Sequence, residues 1–131
     1  MDNKSEPNGD LDNLCDQILK MDDSIRFAGI ANKIGKTIKV AYRKGSDHLL
    51  TPDESDLSMI ESVLRMTTRG DLQPKLGKPI YSFTLYEKVK RATIPLANEE
   101  YPVLMVSFDI EADHESLIKN KLMPLLKRWI K

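Results

Sequence analysis

The sequence predicts an α/β sandwich of the α+β class, in which a five-stranded antiparallel sheet carries helices on both faces. Three observations support this fold class. Helix and strand patterns follow one another in the order α-ββ-α-βββ-α. The segment Thr51 to Glu54, which reads Thr-Pro-Asp-Glu, is a capping box with proline at the first helical position. The run Val103 to Phe108 is apolar on both alternating faces, as in a central strand covered on both sides.

Length and composition indicate one globular domain. The chain has 131 residues, of which 40% are hydrophobic and 31% charged, and this balance excludes disordered and disulfide-rich classes. No apolar run approaches the roughly 20 residues of a membrane span, and the amino terminus lacks a signal-peptide pattern. The single cysteine, Cys15, cannot form an internal disulfide. We therefore expect a cytoplasmic protein with a disordered tail at 1–10 and a single domain at 11–131.

Charge is balanced over the whole chain but arranged in blocks. Lys plus Arg and Asp plus Glu both number 20, so no global field attracts nucleic acid or an anionic membrane. Residues 24–46 carry bases and no acid, whereas residues 47–62 carry acids and no base. Such blocks suit contact with a partner or a second copy, but solvated helix and hairpin faces are the simpler interpretation.

The first part of the domain reads as a helix followed by a hairpin. Apolar residues recur at helical spacing from Leu11, with Asp10 available as the N-cap. Two strand-like runs, Ile25 to Ala31 and Thr37 to Arg43, are separated by a turn that contains Asn and Gly. Apolar and polar residues alternate in the second run, which predicts an edge strand with its apolar side chains on the buried face.

The second helix begins at the capping box and is expected to run to about Arg69, with Gly70 as a left-handed terminator. Its apolar residues form two neighbouring stripes, with Leu57, Ile60, Leu64 and Thr67 in one and Met59, Val63 and Met66 in the other. Together the stripes span about half of the circumference instead of the usual ~100°. One sheet would therefore leave part of this helix uncovered.

Three β-rich runs follow a connection rich in Pro and Gly, at Ile80 to Tyr86, Val89 to Ile94 and Val103 to Ile110. A final helix begins at the cap Asp113, and its apolar stripe consists of Ile118, Leu122, Leu125 and Trp129. Pro124 should kink or divide this helix, because proline lacks an N–H and clashes with the carbonyl four residues earlier.

No motif predicts catalysis, a metal site or a cofactor. The segment Gly29 to Thr37 resembles a P-loop, but it has five residues between its glycines where the motif needs four, and a strand follows it. His48 and His114 lack Cys or His at ligand spacing, and they are expected in a polar loop and in a solvated first helical turn. Ser46 to His48 contains triad residue types without triad geometry. Cys15 lies on an apolar helix stripe, where a buried, inert thiol is expected.

The basic hairpin from Lys33 to Lys44 is the candidate nucleic-acid surface, with Phe27 and Tyr42 nearby. Stacking on single-stranded nucleic acid needs exposed rings. Both aromatic side chains are expected to point inward, so nucleic-acid binding is disfavoured.

The order of elements resembles the roadblock / dynein light chain family within the longin- and profilin-like folds. The resemblance covers residues 11–130 and rests on the turn Asn32 to Gly35, the capped second helix, and the polar helix start after the fifth strand, Ser107 to Asp113. It implies a sheet order of 2-1-5-4-3, no catalytic residue, and a homodimer that regulates or scaffolds a small GTPase. Pro124 and a charged fourth strand depart from the family pattern. The sequence is also similar to small uncharacterised proteins of ammonia-oxidising archaea, which implies no activity.

A PAS-like sensor domain is the alternative, because two strands, a helical segment and three strands also fit that fold. Such a domain would hold a small molecule between its sheet and helices. PAS domains usually divide the middle connection into several short helices, whereas a single helix of about five turns is predicted here. The sensor interpretation therefore ranks second.

Self-association is expected through helix 2 and strand 3, at Met59, Val63, Met66, Ile80, Ser82 and Thr84. The helical residues extend the apolar arc beyond what one sheet covers, and such patches tend to mark interfaces. The predicted strand has no charged residue, whereas monomers usually protect a sheet edge with Lys or Pro. A second copy across a two-fold axis would cover both, although the final helix or the loop before the third strand could cover the patch instead.

Overall fold

A computed structural model describes residues 7–45 and 48–127, with side chains described from residue 13 onwards. The elements follow in the order α1 (Pro7–Lys20), β1 (Ile25–Ala31), β2 (Thr37–Tyr42), α2 (Pro52–Gly70), α3 (Gln73–Leu76), β3 (Ser82–Leu85), β4 (Val89–Pro95), β5 (Val103–Asp109), α4 (His114–Leu117), a π-helical turn (Ile118–Leu122) and α5 (Met123–Leu125).

The strands form one five-stranded antiparallel sheet in the order β2-β1-β5-β4-β3. The most apolar strand, β5, lies in the centre, where both faces are covered. This result confirms the predicted fold class and the strand order that the roadblock resemblance implied. β2 and β3 are the two edges of the sheet.

The larger core lies between the sheet and the helices α1, α4 and α5, and includes Ile18, Ile94, Leu104, Phe108 and Leu122. A smaller core lies under α2 on the opposite face, where Met59 and Met66 meet Phe27 and Met105. Helices therefore cover both faces, as predicted, and α2 is one continuous helix of 19 residues. That continuity differs from the divided connection expected of a PAS domain.

The turn between β1 and β2 confirms the predicted hairpin. The Asn32 side-chain oxygen accepts hydrogen bonds from the backbone N–H of Ile34 at 3.1 Å and of Lys36 at 3.0 Å. Gly35 has a φ of 89°, which only glycine adopts at little cost. The turn rests on α2, since a Cβ at Gly35 would lie 2.8 Å from the Cα of Ile60.

Helix α1 begins at Pro7, earlier than the predicted start at Leu11 with Asp10 as its cap. Residues 7–10 of the predicted tail are thus helical, whereas residues 1–6 lie outside the described residues. The reason is that proline fits the first helical turn, where its fixed φ is helical and its missing N–H is not needed.

Helix α2 has the predicted capping box at Thr51, whose hydroxyl accepts from the Glu54 N–H at 3.1 Å while the Glu54 carboxylate accepts from the Thr51 N–H at 2.9 Å. The helix ends at Gly70, close to the predicted Arg69, but the predicted left-handed termination was wrong. Gly70 is helical, and the following Asp71 keeps a right-handed backbone. The chain turns directly into α3, and the left-handed glycine is Gly77, with a φ of 86°.

The predicted faces of β2 were also wrong. Ala41 is the buried residue, whereas Val40 and Tyr42 are exposed. The physical reason is helix placement, because α1 packs on both β1 and β2 while α2 packs on β1 and β5. The described helices therefore cover the α2 side of β2 much less than its α1 side.

The last helix is divided as Pro124 predicted. The Asp113 side chain caps α4 by accepting from the Ser116 N–H at 3.2 Å. The Met123 N–H then donates to the carbonyl of Ile118, five residues earlier, which closes the π-helical turn. Because Pro124 has no N–H to donate, the wider turn carries the chain past it. Trp129, predicted for the same apolar stripe, lies outside the described residues.

Candidate functional site

The predicted interface residues of α2 are part of the core. Met59, Val63 and Met66 are 1%, 5% and 6% exposed and pack against the sheet. The prediction that a partner covers them was wrong. The two stripes of α2 have the same helical spacing, so periodicity could not show which one faces the sheet.

The other stripe of α2 is exposed, and we call Leu57, Ile60 and Leu64 the α2 flank. Their side chains are 56%, 46% and 65% exposed. Within the α2 flank, Ile60 lies against the β1–β2 turn at Gly35. The opposite side of α2 is polar, and there Ser58 contacts Arg91 of β4.

A second apolar surface surrounds β3, and we call Ile80, Leu85 and Leu76 the β3 margin. All three side chains are exposed. The strand between them carries the predicted interface residues Ser82, half-buried, and Thr84, exposed. β3 pairs with β4 along one side, and no other described strand pairs with its second side, so that side is an open sheet edge. Ile80 precedes the strand, because β3 is shorter than the predicted run.

A groove of about 620 Å³ opens beside the first half of α2, between the segment after β2 and the start of β4. Its less exposed lining residues are Arg26, Phe27, Ser55, Ser58, Val89, Arg91 and Ser107. Its exposed lining includes the apolar and aromatic residues Tyr42, His48, Leu49, Leu50, Leu57 and Tyr86. The groove thus has a polar floor with two cations, and a rim that combines these apolar residues with the charged residues Glu54, Glu61, Glu87 and Lys88.

Aromatic rings form one wall of the groove. The Tyr42 ring lies 5.0 Å from the ring of Phe27 and 4.2 Å from the ring of His48, measured between centroids. Phe27 is buried, as predicted, but Tyr42 is exposed and stacks with His48 instead of pointing inward. The sequence did not predict this wall. His48 meets Tyr42 only because the chain after β2 turns back toward α2.

An ion-pair cluster ties three strands together at the end of the sheet. Asp109 of β5 accepts from Arg43 at 2.7 Å and 3.1 Å and from Arg26 of β1 at 3.0 Å. The hydrogen bond from Arg43 is the main cause that lowers the pKa of Asp109, and the same bond raises the pKa of Arg43. Both carboxylate oxygens are engaged, which suits a structural role better than proton transfer.

Among the residues that the structure describes, the candidates for catalysis are not brought together. Cys15 is buried in the larger core, as predicted. His48 lies at the groove rim, and Ser46 and Asp47 lie outside the described residues. Within the described residues, no group of three His, Cys, Asp or Glu side chains converges as metal ligands.

His114 is not solvated, contrary to the prediction for a first-turn histidine. Its ring stacks on Phe83 with centroids 4.0 Å apart and planes at 11°. Its Nδ1 is buried and has no hydrogen-bond partner in the part of the chain that the structure describes. The cause is tertiary, since β3 places Phe83 on the same face of the sheet as α4.

No described helix has the length and apolar character of a membrane span. No protein-family model matches the sequence, and no curated protein matches it.

Solved structures do resemble the fold. Myxococcus xanthus MglB superposes with a TM-score of 0.71 at 15% identity, covering 93% of this chain and 93% of that chain. The gliding protein MglB from Thermus thermophilus gives 0.67 at 12% identity, covering 96% and 95%. A Roadblock/LC7 domain from Streptomyces avermitilis gives 0.65 at 18% identity, covering 89% and 92%. With its strand order and its helices on both faces, the chain has the fold of a roadblock domain.

Proposed function

We propose that this chain is a non-catalytic interaction module that forms a homodimer and binds a protein partner. The observation that carries the proposal is the exposure of two separate apolar surfaces, the α2 flank and the β3 margin. Large exposed apolar surfaces on monomers tend to mark interaction sites. A small GTPase is the partner class that the roadblock resemblance implies.

The β3 margin supports the homodimer. The strand Ser82–Leu85 carries no charged residue and is open along one side. Such an edge pairs readily with another strand unless it is protected. Antiparallel pairing of β3 with β3 of a second copy would satisfy the open backbone groups, and a two-fold axis would bring both apolar margins together.

The α2 flank supports a different partner. Its residue Ile60 lies against the turn that joins β1 to β2, whereas β3 is the opposite edge of the sheet. A dimer formed through β3 would therefore leave the α2 flank of each copy open. An apolar stripe at helical spacing suits docking of a protein surface.

The dimer is tested with Thr84→Lys. Thr84 is an exposed residue in the middle of the open edge, so the substitution places like charges close together across a two-fold axis but leaves a monomer folded. Sedimentation velocity at micromolar concentration should give a dimer for the parent protein and a folded monomer for the variant. Leu64→Lys adds the same charge on the α2 flank and should remain dimeric. A monomeric parent, or a dimeric Thr84→Lys, would contradict the proposed interface.

The partner is tested separately by biolayer interferometry with purified small GTPases, each loaded with GDP or a GTP analogue. At least one should bind the parent protein, and Leu64→Lys should weaken that binding by about tenfold or more, because a charge then replaces a buried apolar contact. If no GTPase binds, the partner class is wrong while the dimer proposal stands.

A further inference from the structure

Arg91 is a half-buried cation on the floor of the groove. It lies on the α2 face of β4, and its Nη2 contacts the hydroxyl of Ser58 and the sulfur of Met105. The phenol of Tyr86 also lies near the guanidinium. These partners are neutral, and no carboxylate from the described residues forms an ion pair with Arg91.

The neighbourhood of Arg91 disfavours its charge. Burial is the largest influence and lowers the pKa of the guanidinium; the neighbouring Tyr86 opposes this effect, and Arg65 adds to it. Arginine nevertheless stays protonated in proteins, so the cost of the buried charge is not relieved by losing a proton. Contact with an anion would relieve it, because a charged partner forms shorter and stronger hydrogen bonds than a neutral one.

The other charged residues that line the groove do not form an ion pair with Arg91. Arg26, the second cation of the floor, is already paired with Asp109. The lining glutamates are exposed, and two of them are engaged elsewhere: Glu54 closes the capping box and Glu61 lies 3.9 Å from Arg65. Glu87 and the third cation of the lining, Lys88, are also exposed. The floor is therefore cationic at Arg91, and the acids lie toward solvent.

The rim above Arg91 suits an apolar body. Leu49, Leu50 and Leu57 lie on one side, with the stacked pair of Tyr42 and His48 beside them. A volume of about 620 Å³ falls within the usual range for small-molecule sites. Such sites combine a mostly apolar lining with a few polar groups that fix the orientation of the ligand.

We propose that the groove is a binding site for a small organic carboxylate, with its anionic head on Arg91 and its aromatic or aliphatic body between the leucines and the Tyr42–His48 pair. The site is separate from the β3 margin. It shares Leu57 with the α2 flank but not Leu64, so the variant that tests the partner surface leaves the groove lining intact.

The test compares 4-phenylbutyrate with 4-phenylbutanamide, which has the same body without the charge. Affinities are measured by calorimetry, and the site is located by amide shift changes in nuclear magnetic resonance. The carboxylate should bind about tenfold more tightly than the amide, as expected for a hydrogen bond to a charged group. The largest shifts should fall at 48–50, Leu57 and Arg91.

Two variants locate the charge. Arg91→Gln should lose about tenfold in affinity for the carboxylate while changing amide binding less than about twofold. Lys36→Gln removes the same charge in the β1–β2 turn and should change neither affinity. Equal binding of the two probes to the parent protein, no saturable binding, or shifts outside the groove would each overturn the proposal. The comparison of probes on the parent protein decides the matter even if Arg91→Gln does not fold.

Discussion

At the residue scale, Asp109 is the acceptor that joins the end of the central strand to its neighbours. Arg43 and Arg26 hold its carboxylate from two sides and lower its pKa below the ordinary value of 3.8. A carboxylate with a lowered pKa stabilises the folded state above its unfolded pKa, and this contribution is lost as the pH falls through the folded pKa. The cluster should therefore weaken in acid.

The substitution Asp109→Asn tests this expectation. It removes the charge that both arginines use, so the free energy of unfolding near neutral pH should fall by about 1–3 kcal/mol. The difference from the parent protein should stay constant above about pH 5 and shrink as the pH falls through and below 3.8. Urea unfolding at fixed protein concentration gives both values. Glu111→Gln, at an exposed position, should change stability by less than about 0.5 kcal/mol. A difference that is independent of pH would contradict the assigned role.

Arg91 and His114 show why single residues were hard to interpret from sequence. Arg91 was visible as a charged residue in a strand, and His114 as a polar residue after a helix cap. Their actual neighbours are Ser58 and Phe83, which lie 33 and 31 positions away along the chain. Such contacts depend on how elements pack, so local spacing carried no signal for them.

At the scale of elements, the β1–β2 turn combines two constraints in one glycine. Gly35 has a left-handed backbone, and it also lies against the backbone of Ile60 in α2. Gly45 has a similar backbone, with a φ of 78°, but no described atom lies within 4 Å of its would-be Cβ. The pair therefore separates backbone strain from the contact with α2.

Replacing each glycine with alanine should show the difference. Gly45→Ala should cost about 1–2 kcal/mol, the usual penalty for a left-handed residue with a side chain. Gly35→Ala should cost about 1 kcal/mol more than this, because the added methyl group also pushes the turn away from α2. Urea unfolding of both variants measures the two values. Equal losses in the free energy of unfolding would mean that the turn is not packed tightly against α2.

Helix α2 shows which features of an element could be predicted from the sequence and which could not. Its start followed from Thr51 and Glu54, because a capping box involves only residues three apart. Its orientation did not follow, because Met59 and Ile60 belong to stripes of equal periodicity. In the folded protein α2 packs on the sheet through Met59, Val63 and Met66, and the β1–β2 turn lies close to Ile60. The α2 flank is therefore left exposed.

At the scale of the whole molecule, the central position of β5 predicts the order of amide protection. β5 is paired on both sides and covered on both faces, whereas β2 is an edge strand with one partner. Hydrogen exchange should therefore be slower for Val103 to Phe108 than for Thr37 to Tyr42, since central strands open only with the global unfolding. Faster exchange in β5 than in β2 would contradict the strand order.

The sequence by itself determined the features that depend on near neighbours along the chain: the capping box at Thr51, the hairpin turn at Asn32 and the division of the last helix before Pro124. These follow from backbone preferences and hydrogen bonds that span a few residues. The tertiary structure alone decided which stripe of α2 is buried, where Arg91 lies, and that His114 meets Phe83. Those outcomes depend on packing between distant segments, which fixes burial and neighbours only once the layers have assembled.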